Sequence, residues 1–567
     1  MLESYPKPAR ILIPLLMLTG LCQAESKISS DVPRDAHSNV NVIVRFRKAP
    51  EGADHERMSM RGGALRHDLH FINADAISLP ASELENLAAD PDVEYISADR
   101  QIHGALDYAN ETINANIAFQ AGFDGTGVGV AIIDSGIKLV PDLNGAGKRN
   151  SSRVVYSESF LDGSSDTSDP YGHGTHVAGI VAGDGKQSDG GRFAYTFRGV
   201  APDAQIINLK VLDDKGMGTD SAVIAAINRA ISLRKKYNIR VINLSLGRRV
   251  FESYKIDPLC QAVEAAWRAG IIVVVAAGND GRDNSLSTHG FVTINAPGND
   301  PYAITVGAMN TMNTPARSDD LIASYSSKGP TLIDHVVKPD LVAPGNRIIS
   351  LRDPSGWLDI NYPQNQVPMN WYTRSPDNQA SPFYFQLSGT SMSTAMVSGT
   401  AALMLAKDPS LTPDQVKARI MKTASKRFPA VSLSTDPVTG TIYQDQYDIF
   451  TVGAGYLDVW AALNNSDKSS GSALSPKAVY DPAAGMVSVI FDSSQIWGTT
   501  PAWSTSVIWG GSVFRLPSSV IWGGSVIWGD VTAQGFSVIW GTSVIWGGLL
   551  DIRPYSASVE VLIYGDR

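Results

Sequence analysis

The chain has 567 residues, 43% of them hydrophobic and 18% charged, with a formal net charge of −9. It is too long for one small domain, and its ordinary globular composition suggests about two to four domains. The pI near 5.5 and the lack of a basic stripe exclude nucleic acid as an expected partner.

The N-terminus reads as a signal peptide. Lys7 and Arg10 precede the apolar run 11–18, and a cut after Ala24 is expected, giving residues 1–24 as a signal and a secreted product. A membrane anchor is the competing reading, but the run falls short of the roughly 20 apolar residues of a spanning helix. Lipid attachment at Cys22 is disfavoured by the bulky Leu21 before it. Cys22 leaves with the signal, so Cys260 stands alone and no intramolecular disulfide is expected. Cys260 lies in an amphipathic helical pattern, 257–267, and reads as a buried structural thiol.

The stretch from about Val40 to Gln101 predicts a compact α+β unit. Residues 40–46 (VNVIVRF) alternate like a strand. Residues 80–87 predict a short helix with Ser82 as candidate cap, and 93–97 another strand. A polar stretch around 99–116 separates this unit from the rest of the chain.

From about Gly127 to Leu463 the pattern becomes strand, turn, helix, repeated. Apolar strand runs lie at 128–133, 206–211, 241–246, 271–277 and 303–306, with helical patterns at 221–236 and 412–423. Near-continuous apolar strands alternating with helices predict a parallel sheet covered on both faces, an α/β fold. Such sheets carry their sites beyond the carboxyl ends of the strands. Residues 353–386 show little periodicity and read as a long loop beside that cleft.

After a Ser/Gly-rich linker, 465–472, the tail repeats SVIWG at 506–510, 519–523, 525–529, 537–541 and 543–547, with a degenerate copy at 495–498. The even spacing of Trp497, Trp503 and Trp509, and of Trp522 with Trp528 and Trp540 with Trp546, puts each group on one face of an extended strand. A β-rich tail is therefore expected. Two roles fit it: indoles stacking on glycans or a cell surface, or indoles filling a thin core. The second is favoured, because Val and Trp share a face and such stripes are usually core.

Peptide-bond hydrolysis by serine needs a nucleophile, a base, an acceptor that orients the base, and donors for the oxyanion. Asp134 ends the first apolar strand of the α/β region. His173 opens a helical pattern in 172–179 (GHGTHVAG). The rival reading there is a metal pair with His176, but the pair lacks an intervening Glu and a nearby third ligand; a capping role for His176 is preferred. Ser391 precedes a helical run, where free N–H groups favour negative charge. Asn279 follows the strand 271–277, and its amide can join the Ser391 N–H as an oxyanion donor. Each residue also has a plain structural reading as a cap or turn residue. Together they stand in the order Asp, His, Ser, the order known from subtilisin.

The sequence resembles the subtilisin-like serine peptidases, or subtilases. The matching blocks are 132–136 (IIDSG), 172–179, 199–202 (GVAP), 243–247 (NLSLG), 276–279 (AAGN), 338–345 (KPDLVAPG) and 389–392 (GTSM). The resemblance implies a subtilisin-like catalytic domain over 106–463, between a prosegment at 25–105 and the tail at 464–567. It implies a secreted serine endopeptidase acting on proteins or peptides through an acyl-enzyme, with Asp134, His173 and Ser391 as triad and Asn279 at the oxyanion. It implies that Ser245, Leu246 and Gly247 pair with the substrate backbone, and that Ala276, Ala277 and Gly278 line the pocket for the side chain before the cut. The prosegment is expected to be ferredoxin-like, to inhibit the enzyme, and to be self-cleaved near 103–106. No cofactor is required for the chemistry. Calcium is expected as a structural ion, because Asp142 matches one ligand position of the family. Two positions depart from the family pattern: Ala395 replaces the usual Pro, and Met396 the common His. Ala395 keeps a peptide ligase open as an alternative, and a non-catalytic scaffold with the tail as its binding part is the other competing reading.

Overall fold

The computed structural model describes residues 27–29, 32, 39–98, 105–144, 152–285, 288–468, 470–481, 486–491, 493–497, 500–509, 520–521 and 556–566. Two compact units divide the chain between Ile102 and His103.

In the first unit, β1 (Asn39–Phe46) leads through α1 (Gly52–Met60), β2 (Ala64–Leu69), β3 (Ala74–Pro80) and α2 (Leu84–Ala88) to β4 (Val93–Ala98). The strands pair antiparallel in the order β2-β3-β1-β4. That βαββαβ topology is the ferredoxin-like arrangement. Alternation in β1 turns Val40, Val42, Val44 and Phe46 inward, where they meet Ile77, Leu84, Leu87 and Ile96. Ser82 does not cap a helix. It sits inside a 3-10 turn, Ala81–Glu83, and α2 starts from Glu83 without a side-chain cap.

The second unit opens with α3 (Ala105–Thr112) and α4 (Ala115–Gln120). The sheet elements come next: β5 (Gly129–Asp134), β6 (Val154–Ser159), α5 (His173–Ala182), β7 (Gln205–Lys210), α6 (Asp220–Leu233), β8 (Ile239–Leu244), α7 (Pro258–Arg268), β9 (Ile272–Ala276), β10 (Ile304–Asn310), β11 (Leu321–Ile322) and β12 (Leu341–Pro344). The sheet order is β11-β10-β9-β8-β5-β7-β6, with β12 also on β10. All pairs are parallel except β10 with β11.

Strand residues feed two cores in alternation. Val130, Ile132, Val241 and Val274 pack under α5 and the long α-helix that begins at the Ser391 turn. Ala131, Ile133, Ile242 and Val273 pack against α6 and α7. Two covered faces explain why these strands read as continuous apolar runs. The chain crosses β5 on both sides, to β7 and to β8, so the carboxyl end of β5 is a topological switch point.

Residues 353–386 are not a structureless loop. β13 (Ile348–Leu351), α8 (Trp357–Asn361), β14 (Gln366–Pro368) and β15 (Ala380–Leu387) succeed one another, and the strands form a sheet in the order β13-β15-β14. Aromatic contacts hold it: Phe193 stacks on Tyr372, and Tyr372 meets Tyr384 edge-on at 5.3 Å. Short strands paired across distant sequence leave no local period to read.

α9 (Thr390–Lys407) is buried from Thr390 to Leu405 and runs through the centre. α10 (Pro413–Thr423) starts from Thr412, which caps it in a capping box. After the hairpin β16 (Val431–Thr435) and β17 (Ile442–Gln446) come α11 (Val459–Asn464), β18 (Lys477–Asp481), β19 (Met486–Ile490), α12 (Thr505–Trp509), β20 (Val520–Ile521) and α13 (Ser556–Tyr564).

The described part of the linker is packed rather than loose at Asp467, which pairs with Lys422 and whose carbonyl accepts from Arg419. The first repeat copies do not form one extended strand. Residues 501–503 make a 3-10 turn, and the copy containing Trp509 is helical. Their indoles are nevertheless core. Trp497, Trp503 and Trp509 pack with Ala418, Met421 and Phe450 beside α10, and Trp497 donates to the Leu474 carbonyl at 2.6 Å. Trp522, Trp528, Trp540 and Trp546 lie outside the described residues, as does the signal run 11–18. No helix among the described residues is long and apolar enough to cross a membrane.

Candidate active site

Asp134 is the last residue of β5 and is fully buried. Its Oδ1 accepts from the Ser135 N–H at 2.7 Å and lies 2.8 Å from His173 Nδ1. His173 is the first residue of α5, packed close above the strand end. Gly174 makes that approach possible, since a Cβ there would strike the Gly136 carbonyl and press on Asp134.

Asp169, which the sequence patterns did not single out, holds the turn. Its carboxylate accepts from the Gly172 and Thr175 N–H groups at 2.8 and 2.7 Å and from Ser135 Oγ at 2.7 Å. No sequence signal marked it, because it stands four residues before the helix start, outside the cap position held by Gly172. Tyr171 was also missed. Its ring lies 6.4 Å from that of His173 and stacks on Trp357, walling the imidazole with aromatic carbon.

Burial disfavours the charged ring of His173, but the charge of Asp134 and its hydrogen bond outweigh that and raise the pKa above the usual value. His176, one turn on, behaves oppositely. Its burial lowers the pKa to about 3, so it stays neutral and places Nε2 3.0 and 3.2 Å from the Ile348 and Phe385 carbonyls. It sits inside α5 rather than at its cap, and it ties β13 and β15 to that helix. Among the described residues no group of three ligands could hold a metal ion.

Ser391 is the second residue of α9, where a backbone N–H has no acceptor within the helix. Its hydroxyl donates to the Ser245 carbonyl at 3.2 Å, and Ser245 Oγ donates to the Ser391 carbonyl at 2.9 Å. No hydrogen bond joins Ser391 to His173 among the described residues; resting geometry of this kind commonly tightens only when substrate binds. Ala395 lies buried within the unbroken helix.

Asn279 is aimed by its oxygen. Oδ1 accepts both the Thr390 N–H and the Thr390 hydroxyl at 3.0 Å. That leaves Nδ2 beside Gly389, without a partner among the described residues.

Residues 245–247 come directly after β8. Asn243 Nδ2 donates to Ser245 Oγ at 2.9 Å, and a bridge between Arg248 and Ala296 closes the far end. Leu246, between them, is half-buried and has no backbone partner among the described residues. Ala276, Ala277 and Gly278, at the end of β9, are buried. Ala277 uses its own backbone groups on Val306 and Asn295, and Gly278 donates to Thr390 Oγ1 at 3.3 Å.

The calcium expectation at Asp142 is corrected. Its Oδ1 accepts the Gln187 N–H and its Oδ2 the Tyr384 hydroxyl, both at 2.8 Å, while its carbonyl accepts from Arg153 at 2.8 Å. These are donors, and the guanidinium is a cation, so the surroundings do not fit a metal ion. Burial pushes the Asp142 carboxyl up to about 6. Cys260 is a buried thiol, as expected, near Asn299 Oδ1 at 3.4 Å, and burial raises its pKa strongly.

Comparison with known proteins matches residues 125–455 to the peptidase S8 group, the subtilase family. Serine protease AprX of Bacillus subtilis (strain 168) is 34% identical over 403 residues, covering 68% of this chain and 83% of that protein. Subtilisin E of the same organism is 32% identical over 412 residues, covering 71% and 90%. Alkaline serine exoprotease A of Vibrio alginolyticus is 30% identical over 374 residues, covering 63% and 56%.

Proposed function

This chain belongs to the subtilase family and is a serine-type endopeptidase; from that premise we propose a role for each residue of the site. Ser391 is the nucleophile, His173 the base and Asp134 the group that orients the base. The observation carrying this is the 2.8 Å contact between buried Asp134 and His173 Nδ1, which leaves Nε2 free to take a proton.

Ser391 Oγ turns from the Ser245 carbonyl toward Nε2 and forms a bond to the scissile carbon as its proton passes to His173. The carbonyl electron pair moves onto oxygen, where the Asn279 amide and the Ser391 N–H receive it. Collapse restores the carbonyl and expels the amine, which takes the proton from His173 and leaves an ester on Ser391. Water then repeats the attack, giving its proton to His173, and the acid departs as that proton returns to Ser391. The base must be neutral at the start, so the raised pKa of His173 sets the acid limit of activity.

The unpaired backbone of Leu246, flanked by Ser245 and Gly247, is the edge on which an extended peptide adds as a strand. Ala276, Ala277 and Gly278 wall the pocket beside it, and protein or peptide chains are the substrates. The protein is made as a precursor. Residues 1–24 direct secretion, and residues 25–105 are a prosegment that inhibits the enzyme until self-cleavage near 103–106. The ferredoxin-like topology of the first unit and its end at Ile102 support that reading. The tail has a structural role, supported by its buried indoles at 497, 503 and 509.

A fluorophosphonate probe with peptide mapping tests the assignment. The expected result is one label, on Ser391, lost in His173→Ala. Labelling of another serine, or undiminished labelling in His173→Ala, would overturn it.

A further inference from the structure

The final described stretch returns to the catalytic region. In α13, Val561, Leu562 and Ile563 are buried, Val561 against Ala308, Ala323 and Tyr325 and the other two in the main core. The polar contacts are equally specific. The Ser388 N–H donates to the Leu562 carbonyl and Asn365 Nδ2 to the Ile563 carbonyl, both at 2.8 Å. Gly565, at φ +59, has no room for a side chain, since a Cβ would fall into Asn346 Oδ1 and Ser388 Oγ.

Asp566 is 1% exposed. Its carboxylate accepts from the Ser324 N–H and hydroxyl at 2.6 and 2.7 Å and from Arg282 Nη2 at 2.7 Å. Its own N–H and carbonyl pair with the Asn346 side chain at 2.8 and 3.0 Å.

These partners belong to two different parts of the site. Arg282 and Ser324 belong with the oxyanion segment: three residues before Arg282 stands Asn279, the Gly281 N–H donates to the Tyr325 carbonyl, and the Ser327 N–H donates to the Gly278 carbonyl. Asn346 and Ser388 belong to the nucleophile segment: the Gly389 N–H donates to the Gly345 carbonyl at 2.8 Å and the Arg347 N–H to Ser388 Oγ at 2.9 Å. Ser391 stands three residues after Ser388.

We propose that Asp566 is a positioning residue: bridging Arg282 and Ser324 to Asn346, it holds the oxyanion amide of Asn279 in register with Ser391. A peptide beyond the repeat tail thereby completes the active site. The relative placement of nucleophile and oxyanion donor is where small displacements are costly, about a hundredfold in rate for 1 Å. The inference rests on the roles given above to Ser391 and Asn279.

The test uses the full chain. Asp566→Ala, Asp566→Asn and, as a control on the exposed side of the same helix, Tyr564→Ala are titrated to completion with a serine-directed phosphonate. On untreated aliquots of the same preparations, kcat and KM per titratable site are then measured on a peptide anilide. The expected result is a fall in kcat of about tenfold or more for Asp566→Ala, with KM within about twofold. Asp566→Asn, which keeps the acceptor but loses the charge opposite Arg282, falls between it and the parent, and Tyr564→Ala stays within about twofold of the parent. If kcat per titrated site is unchanged in Asp566→Ala and only the titratable fraction drops, the peptide is merely a structural plug and the proposal fails. Should Asp566→Ala not fold, Asp566→Asn decides by the same criterion. A parent chain that takes no label at Ser391 would instead refute the nucleophile assignment.

Discussion

Asp142→Asn is expected to stabilise the protein at alkaline pH and to do nothing at acid pH. The carboxyl sits at about 6, against roughly 3.9 for an unfolded aspartate. Because the folded value is the higher one, this group's contribution to stability is fully present below about pH 4 and is lost as pH rises through about 6. The gap of about two pH units corresponds to about 3 kcal/mol by pH 8, an upper limit for one site. Asparagine cannot ionise. It can still accept the Gln187 N–H, and its amide can donate to the Tyr384 hydroxyl, which already lies 2.8 Å from Ser188 Oγ. Denaturant midpoints for Ser391→Ala and Ser391→Ala/Asp142→Asn, at pH 4 and pH 8, measure the difference without self-digestion. The variant should gain up to about 3 kcal/mol at pH 8 and stay level at pH 4. A variant less stable at pH 8, or a calcium-dependent rise in the midpoint present only with Asp142, would refute the reasoning and restore the ion.

Other consequences are as direct. Asn279→Leu removes one oxyanion donor and should lower kcat by about 10²–10³, with KM little changed, in steady-state assays. Asp134→Asn should reduce kcat by about 10⁴; it also removes the influences that raise the His173 pKa, so the acid limb of kcat/KM should move to lower pH. An unmoved limb would mean that another group sets it. Trp497→Ala should cost about 3–5 kcal/mol by cavity formation beside α10, while kcat per titrated site stays unchanged. A surface role for this indole predicts no loss of stability.

The parts of the fold visible in sequence are those with a strong local period. The five central strands and α6 and α10 lie within a few residues of their patterns, because strands covered on both faces must be apolar throughout. β6 (Val154–Ser159) escaped notice because, half-buried at the sheet edge, it carries Tyr and Glu and shows no apolar run. β13, β14 and β15 escaped because their stability comes from distant pairing and aromatic contact. In the site, Asp134 and Asn279 were legible as polar residues ending apolar strands, and Ser391 as a polar residue opening a helix. Asp169 and Tyr171 were not, since each works through a partner that only the fold brings near. Asp142 misled for the same reason. Its place in the chain suggested an ion ligand, but Tyr384, 242 residues away, supplies the proton donor. Nor could the repeat pattern reveal that Trp509 would sit on a helix, because a six-residue step fixes a common face only once an extended backbone is assumed.

The central claim is that Ser391 is the nucleophile of a self-processing peptidase. Expressing residues 25–567 beside the Ser391→Ala variant and tracking intact mass over time tests it most directly. The account predicts that the parent chain loses its first unit, with a new N-terminus near residues 103–106, while the variant stays whole. Equal processing of both chains, or none in a folded parent, would contradict it.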